Sequence, residues 1–576
     1  MTKATGWIGI LIGGALLVAL FAIGVPGGAR AQEAPGSGTG VEVISGGDVV
    51  AEPVEAHPPA SGAGEGTAGA KKPGKGGKGS GAQEPAAGGG KAGKKTVVSF
   101  EVPGVFDGLY TYMGDIQVSD ISQDRPEDEI LYPNALGLNS YGGARFRLAP
   151  VFNYKDLLVI HAEGDLMLYP FGDEPAGVDQ SSDPRSHAGE LSAWRHWFNP
   201  RQFYLEIKPS FNIFRIRQIS SHWGMGILAN DGSHDPAFGA VFGGDIVERF
   251  LFATKPFYKL PGEALKNTTL AVAADLVYDD ITAKLYKGDL AWQAVVALRW
   301  EYKKQAAGFY FVYRNQKKDD GRKLEAYVFD WYLRLAVDFR SGLEGYIEGE
   351  AVFMSGETNF AYSVQHPDGY DVRQLGGAAR IGLKWLDYLH FRIDGGVSSG
   401  DANLYDGAMR QLTMDPNFKV GLILFPEVLG WQSARAATVA GSPALTGVEN
   451  PGIDMLPTNG GVSGAFFVNP IITGKPVKWL ELKAGCVIAR TTSYLVSAWE
   501  QKNRGHAAGY LGGSAKNKDL GVELDAAAWF TIPVKYVSMK LGVEGGYFWA
   551  GKYFTTADGK RMSDVWLVSG RVRFTY

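Results

Sequence analysis

Glu344, Glu348 and Glu350 fall on even positions of a stretch whose odd positions, Leu343, Gly345, Ile347, Gly349, Ala351 and Phe353, are apolar or small. Arg380 and Lys384 lie in the next such stretch, and Arg392 in the one after, where His390 and Asp394 oppose Phe391 and Ile393. The same alternation puts Asp330 with Arg334, Arg215 with Arg217, and Arg145 with Arg147 on a polar side. A period of two is that of a β-strand, so each set shares one face. A wall with both signs of charge on one face can bound water and impose a transverse field that orients polar solutes. The same pairs would equally satisfy a solvated interior.

Covalent chemistry is less well supported. No H-E-x-x-H helix and no P-loop occur in the strand-rich region, and no nucleophile elbow is expected. His161 with Glu163 and Asp165, or His390 with Asp394, are the only groupings that suggest a rim-located hydrolase. His187, His196, His222 and His234 share early loops with Asp173, Glu174, Asp179, Asp183, Asp231 and Asp235. Their spacings match no ligand pattern, so no metal and no cofactor are assigned.

These residues need elements to hold them. Lys3, the apolar run from Trp7 to Val25 and Ala29-Arg30-Ala31 read as a signal peptide over 1–31, with Gln32 as the mature N-terminus. An uncleaved anchor helix is the alternative. Residues 32–96 are rich in Gly, Ala, Pro and Lys and read as a disordered periplasmic tail, whose basic half could meet an anionic polymer. The single cysteine, Cys486, excludes an intramolecular disulfide, and a net charge of -4 gives no reason to expect nucleic acid.

Period-2 segments then recur from about residue 104 to the end. The final one places Trp566, Val568, Gly570, Val572, Phe574 and Tyr576 against Ser569, Arg571, Arg573 and Thr575. Tight connections are expected near 153–156, 209–211, 303–306, 340–342, 387, 473–476 and 532–535, with an overlong one at 254–267. Long loops at 169–200, 221–245, 280–289, 317–323, 356–370, 491–518 and 551–563 alternate with them, as in a barrel with both ends on one rim. Phe418–Phe425 looks strand-like but would break the parity, so 400–463 is read as one excursion that narrows or plugs the lumen. Residues 97–576 are thus expected to form an all-β transmembrane antiparallel up-and-down barrel of about 18 strands, with 16 as the alternative. Trp292, Trp300, Trp331, Trp385, Trp479 and Trp549 fit the headgroup level, whereas Trp223 and Trp431 could contact a ligand.

Over about 104 to 576 the chain resembles bacterial outer-membrane porins and porin-like export channels. The stretch Phe214-Arg215-Ile216-Arg217-Gln218, with Ser221 to Gly232 and Gly244 to Arg249, is similar to an uncharacterised deltaproteobacterial outer-membrane family. Phe574 and Tyr576 resemble the signal read by the barrel-assembly machinery, although Phe is the more usual last residue. The resemblance implies a Gram-negative outer membrane, contact with lipid and lipopolysaccharide, and a monomer or a homotrimer. The expected function is passive or weakly selective diffusion of small polar solutes. A plugged structural or adhesive barrel is the alternative, and a hydrolase is a more distant one.

Overall fold

The computed structural model describes residues 98–118, 134–179, 183–187, 198–241, 243–339, 342–363, 365–442, 457–504 and 507–576. The expected signal peptide and tail lie outside the described residues, as does His196.

Among the described residues, 21 strands form one sheet. Three are short: Val98–Glu101 and Val151–Tyr154, which pair with each other, and Ala408–Met409. The other 18 form a wall in which each strand pairs antiparallel with its neighbours in chain order. The first, Gly104–Met113, pairs with the last, Val565–Thr575, so that Phe106 lies opposite Phe574 and the barrel closes. Closure satisfies backbone groups that would otherwise face hydrocarbon. Wall strands run from 9 residues (Ser140–Leu148) to 16 (Lys323–Asp338), enough to cross a bilayer at a tilt.

The wall is inverted relative to a soluble protein. Leu375, Ile381, Ile347 and Val543 are all at least 50% exposed, while Arg145, Arg215, Arg249, Asp275, Glu523 and Asp525 are buried. Apolar side chains therefore turn outward to lipid and charged ones inward. Trp292, Trp331, Trp385, Trp479 and Trp549 are exposed on the outer face. Trp300 differs: its indole donates to the Ala264 carbonyl at 2.9 Å, in the small helix Glu263–Lys266 that fills the overlong turn.

Two turns are displaced from their expected places. The strand Ala465–Val477 runs through Pro476 and turns only before Leu480, because an irregularity between Gly474 and Val477 accommodates a residue that cannot donate. Likewise Pro533 stays in register opposite Ser538, and the chain turns between Val534 and Val537.

Phe418–Phe425, strand-like in its sequence, lies in the 400–463 segment and forms no part of the wall. It is not a strand: the chain turns at Gly421, at φ +71°, and enters a π-helical stretch, Leu424–Leu429, that continues into the α-helix Gly430–Gly441. A short apolar run carries no period long enough to separate helix from strand. Strand Leu389–Ser398 pairs directly with Ala465–Val477, so the described residues between them form an excursion from the wall. Its Leu412, Met414, Ile423, Leu424, Phe425 and Trp431 pack in one cluster with wall residues Val328, Tyr332, Phe467 and Phe548, inside the barrel.

The seam has its own anchor. Tyr576 exchanges two backbone hydrogen bonds with Gly104, at 3.1 and 3.2 Å, and its ring occupies the space where a Cβ on Gly104 would stand. Deleting Tyr576 removes both bonds and the ring, so refolding into detergent is expected to slow, measured as the fraction of compact, heat-modifiable species on a gel.

Candidate functional site

The inner wall is a set of ion pairs bridging adjacent strands. Arg145 donates to Asp107 at 2.9 Å, Arg147 forks onto Asp165 at 2.7 and 2.9 Å, and Arg201 reaches Glu163 at 2.7 Å. Arg215 pairs with Glu206, and Arg249 forks onto Asp275 at 2.7 Å through both nitrogens. Arg380 holds Asp394 at 2.8 and 3.2 Å, with Arg392 at 3.3 Å from the same carboxylate. Forked arginine contacts fix side-chain direction as well as charge. Arg249→Ala leaves Asp275 buried beside only Gln293, and we expect a loss of about 3–5 kcal/mol, measured by denaturant unfolding in micelles.

Positions singled out from the sequence are distributed unevenly. Arg145, Arg147, Arg215, Asp330, Glu348 and Glu350 are buried, and Arg334, Glu344, Arg380 and Arg392 are half-buried. Glu348 lies opposite Arg380 in register, at 3.5 Å. Glu344 is opposite Lys384 but pairs with Lys304, and Lys384 is exposed, 3.9 Å from Asp387. Arg217 departs from its row: it is exposed, at φ 98°, a left-handed conformation that interrupts the strand's regular alternation.

Asp330 and Glu350 do not meet open water. Both hold the loop 221–245, which enters the barrel: the Trp223 indole donates to Asp330 at 3.2 Å, and the Met225 N–H donates to Glu350. Trp223 also stacks on Tyr310 at 5.0 Å, over Gly308, where no larger residue would fit. Further along, Glu544 accepts the Gly239 N–H at 2.8 Å and pairs with Arg571, whose guanidinium donates to the Gly239 carbonyl at 2.7 Å. Trp223 and Trp431, read as candidates for ligand contact, are both buried among protein side chains, and Trp431 borders one of the lumen chambers.

The 400–463 segment is held in the same manner. Glu523, fully buried on the wall, accepts the backbone N–H groups of Leu422, Ile423 and Leu424 at 2.5, 2.8 and 2.7 Å. Within the segment, Glu427 accepts from Tyr141 at 2.5 Å and from Trp431 at 2.9 Å. Burial pushes the Asp415 carboxyl up to about 8, and burial pushes the His222 imidazole down to about 4. Glu523 carried no distinguishing signal in the sequence, because a glutamate on an inward register looks the same whether it meets water or backbone.

The segment divides the lumen. On one arc of the wall lies a chamber of about 210 Å³ bordered by Asp245, Asp280, Gln293, Arg314, Gln374 and Thr413. On the opposite side of the segment, near the closing seam, lies one of about 110 Å³ bordered by Thr111, Arg185, Lys419, Glu427, Glu544 and Arg571. Both chambers present acidic and basic groups.

The hydrolase groupings are occupied otherwise. Glu163 and Asp165 are bound by Arg201 and Arg147, and His161 stacks on Tyr204. His390 bonds the Tyr346 hydroxyl at 2.8 Å, while Asp394 is taken by Arg380. Gly396-Val397-Ser398-Ser399-Gly400 does have the spacing of a nucleophile elbow, contrary to the expectation that none occurs. That motif needs a strand-to-helix turn. Ser398 instead ends an antiparallel wall strand, and its hydroxyl accepts the Ala465 N–H at 3.5 Å.

No family model matches this chain, and no curated protein matches it in sequence. Among solved structures it is similar to the outer membrane protein OprD from Pseudomonas aeruginosa, with 8% identity over 83% of this chain and 94% of that one and a TM-score of 0.44. OccK8 (OprE) of the same organism aligns with 10% identity over 83% and 98%, at a TM-score of 0.43. OccAB1 of Acinetobacter baumannii aligns with 9% identity over 83% and 96%, at 0.44.

Proposed function

We propose that this chain is a porin-like outer-membrane channel for passive or weakly selective diffusion of small polar solutes. The observation that carries this reading is the pair of chambers, each bordered by both acidic and basic groups, left between the 400–463 segment and a wall bearing both signs of charge. Solutes that can exchange hydration for alternating carboxylate and guanidinium contacts would pass, and bulky or apolar ones would not. The reading places the barrel in a Gram-negative outer membrane with residues 32–96 in the periplasm, in line with the resemblance carried by Phe214 to Arg249. Lipid, lipopolysaccharide and the barrel-assembly machinery, addressed through Phe574 and Tyr576, are the partners it requires. It involves no catalytic step.

A second reading, a plugged structural barrel, draws on one specific observation: the apolar side chains of the segment are buried in the lumen along most of its described length. Planar-bilayer recordings of the refolded protein separate the two. A channel gives discrete current steps and a reversal potential that reports its charge preference under a salt gradient. A plugged barrel gives a silent bilayer.

A further inference from the structure

The loop 221–245 carries three side chains that sequence spacing does not bring together. His222 enters directly after the strand Asn212–Ser220, and Asp231 and His234 return toward it. Candidate ligand atoms of the three lie within 4.8 Å of one another. Asp231 Oδ1 is 3.7 Å from His222 Nδ1 and 3.3 Å from His234 Nδ1. Two donors bound to one tetrahedral ion at about 2.1 Å stand about 3.4 Å apart, close to these two spacings, the shorter of which is bridged in the metal-free protein by a hydrogen bond between His234 and Asp231.

The arrangement is imposed by the surrounding fold. Ser233 N–H donates to Asp231 Oδ1 at 2.9 Å, the Asn230 amide donates to the Gly226 carbonyl at 3.1 Å, and Gly232 N–H donates back to Asn230 at 3.0 Å. Arg201 donates to the Asp231 carbonyl. Gly244 packs so closely on that carbonyl that a Cβ would sit 2.0 Å from its oxygen. Within this framework His222 is 5% exposed and its Nδ1 has no hydrogen-bond partner. A buried polar atom left without a partner is unfavourable unless something occupies it. The rings of His222 and His234 stack at 4.1 Å, and the His234 side chain is 37% exposed, which gives an ion a way in. Three neighbouring cations oppose binding, Arg147 through Ser233, Arg201 and Arg299, but each is paired with a carboxylate, Asp165, Glu163 and Glu301.

We propose that His222, Asp231 and His234 form a binding site for one divalent transition-metal ion. Two imidazole nitrogens and one carboxylate oxygen select a borderline ion such as Zn²⁺, Co²⁺ or Ni²⁺ over Mg²⁺ or Ca²⁺, and leave at least one position for water. The ion links the start of the inward loop to its return and so stiffens the lining of the lumen.

The test is titration of the tag-free refolded barrel with Co²⁺, followed by visible absorption. One equivalent should give the intense bands of a four- or five-coordinate ion, and Zn²⁺ should abolish them. His234→Ala, at a partly exposed position that leaves the barrel heat-modifiable, should lower Co²⁺ affinity by about tenfold or more, as should His222→Ala. His366→Ala should change nothing. Absence of the bands at millimolar Co²⁺, or bands that persist unchanged in His234→Ala, would overturn the proposal.

Discussion

Replacing residues 400–463 by a short glycine linker is expected to raise single-channel conductance about fivefold or more, because a barrel of this strand number encloses a water-filled lumen once nothing fills it. The ends of the excursion are already neighbours. Val397 pairs with Phe466, and Gly400 packs so near Gly464 that a Cβ on the former would come within 3.2 Å of the latter's Cα. The flanking strands therefore remain a hairpin, and the wall loses only the short parallel pairing of Ala408 and Met409 with Asp371 and Val372 at the end of one strand. What is lost lies inside: the cluster around Leu424, Phe425 and Trp431, and the hydrogen bond from Asp415 N–H to the Ile227 carbonyl at 2.8 Å. Val328, Tyr332, Phe467 and Phe548 become exposed to water, so a lower unfolding midpoint accompanies the wider pore. An unchanged conductance in a correctly folded deletion variant would remove this segment from the permeation path.

The wall was legible because a membrane barrel writes its fold twice, once as a period of two and once as the inversion of which face is apolar. Lys323–Asp338 illustrates this: Tyr327, Trp331 and Leu335 face outward while Asp330 and Tyr332 are buried. Turns were legible where glycine or a polar cluster marked them, and displaced where a proline stayed in the strand, at Pro476 and Pro533. That 400–463 leaves the wall was legible from strand parity, but the contacts inside the lumen were not, for three separate reasons. Phe418–Phe425 is too short to declare its own period. Asp330 and Glu350 are inward in either case, and only the fold decides whether water or Trp223 and Met225 meets them. The grouping of His222, Asp231 and His234 depends on the left-handed turn at Gly232, which brings residues nine and twelve positions onward back to the first.

Glu523→Ala should approach the deletion in its effect while leaving the sequence of the segment intact. The carboxylate accepts three consecutive backbone N–H groups, and the site is fully buried, so no water replaces it at once. Each donor left without an acceptor costs about 1–3 kcal/mol, which together exceeds what a loop docked on one face of a lumen can spare. The segment should then exchange between docked and released positions, seen as flickering current with a raised mean conductance. Glu523→Gln keeps one acceptor oxygen but turns an amide N–H toward the same donors, so it should fall between wild type and Ala. Gly421→Val attacks the contact from the other side: φ is +71° there, and a Cβ would stand 2.5 Å from a Glu523 oxygen. The decisive comparison is a cycle. These hydrogen bonds all run to the 400–463 segment, so Glu523→Ala introduced into the deletion variant has nothing left to release and should not change conductance further. Additive effects would mean that Glu523 shapes the pore directly and that the segment is held by other contacts.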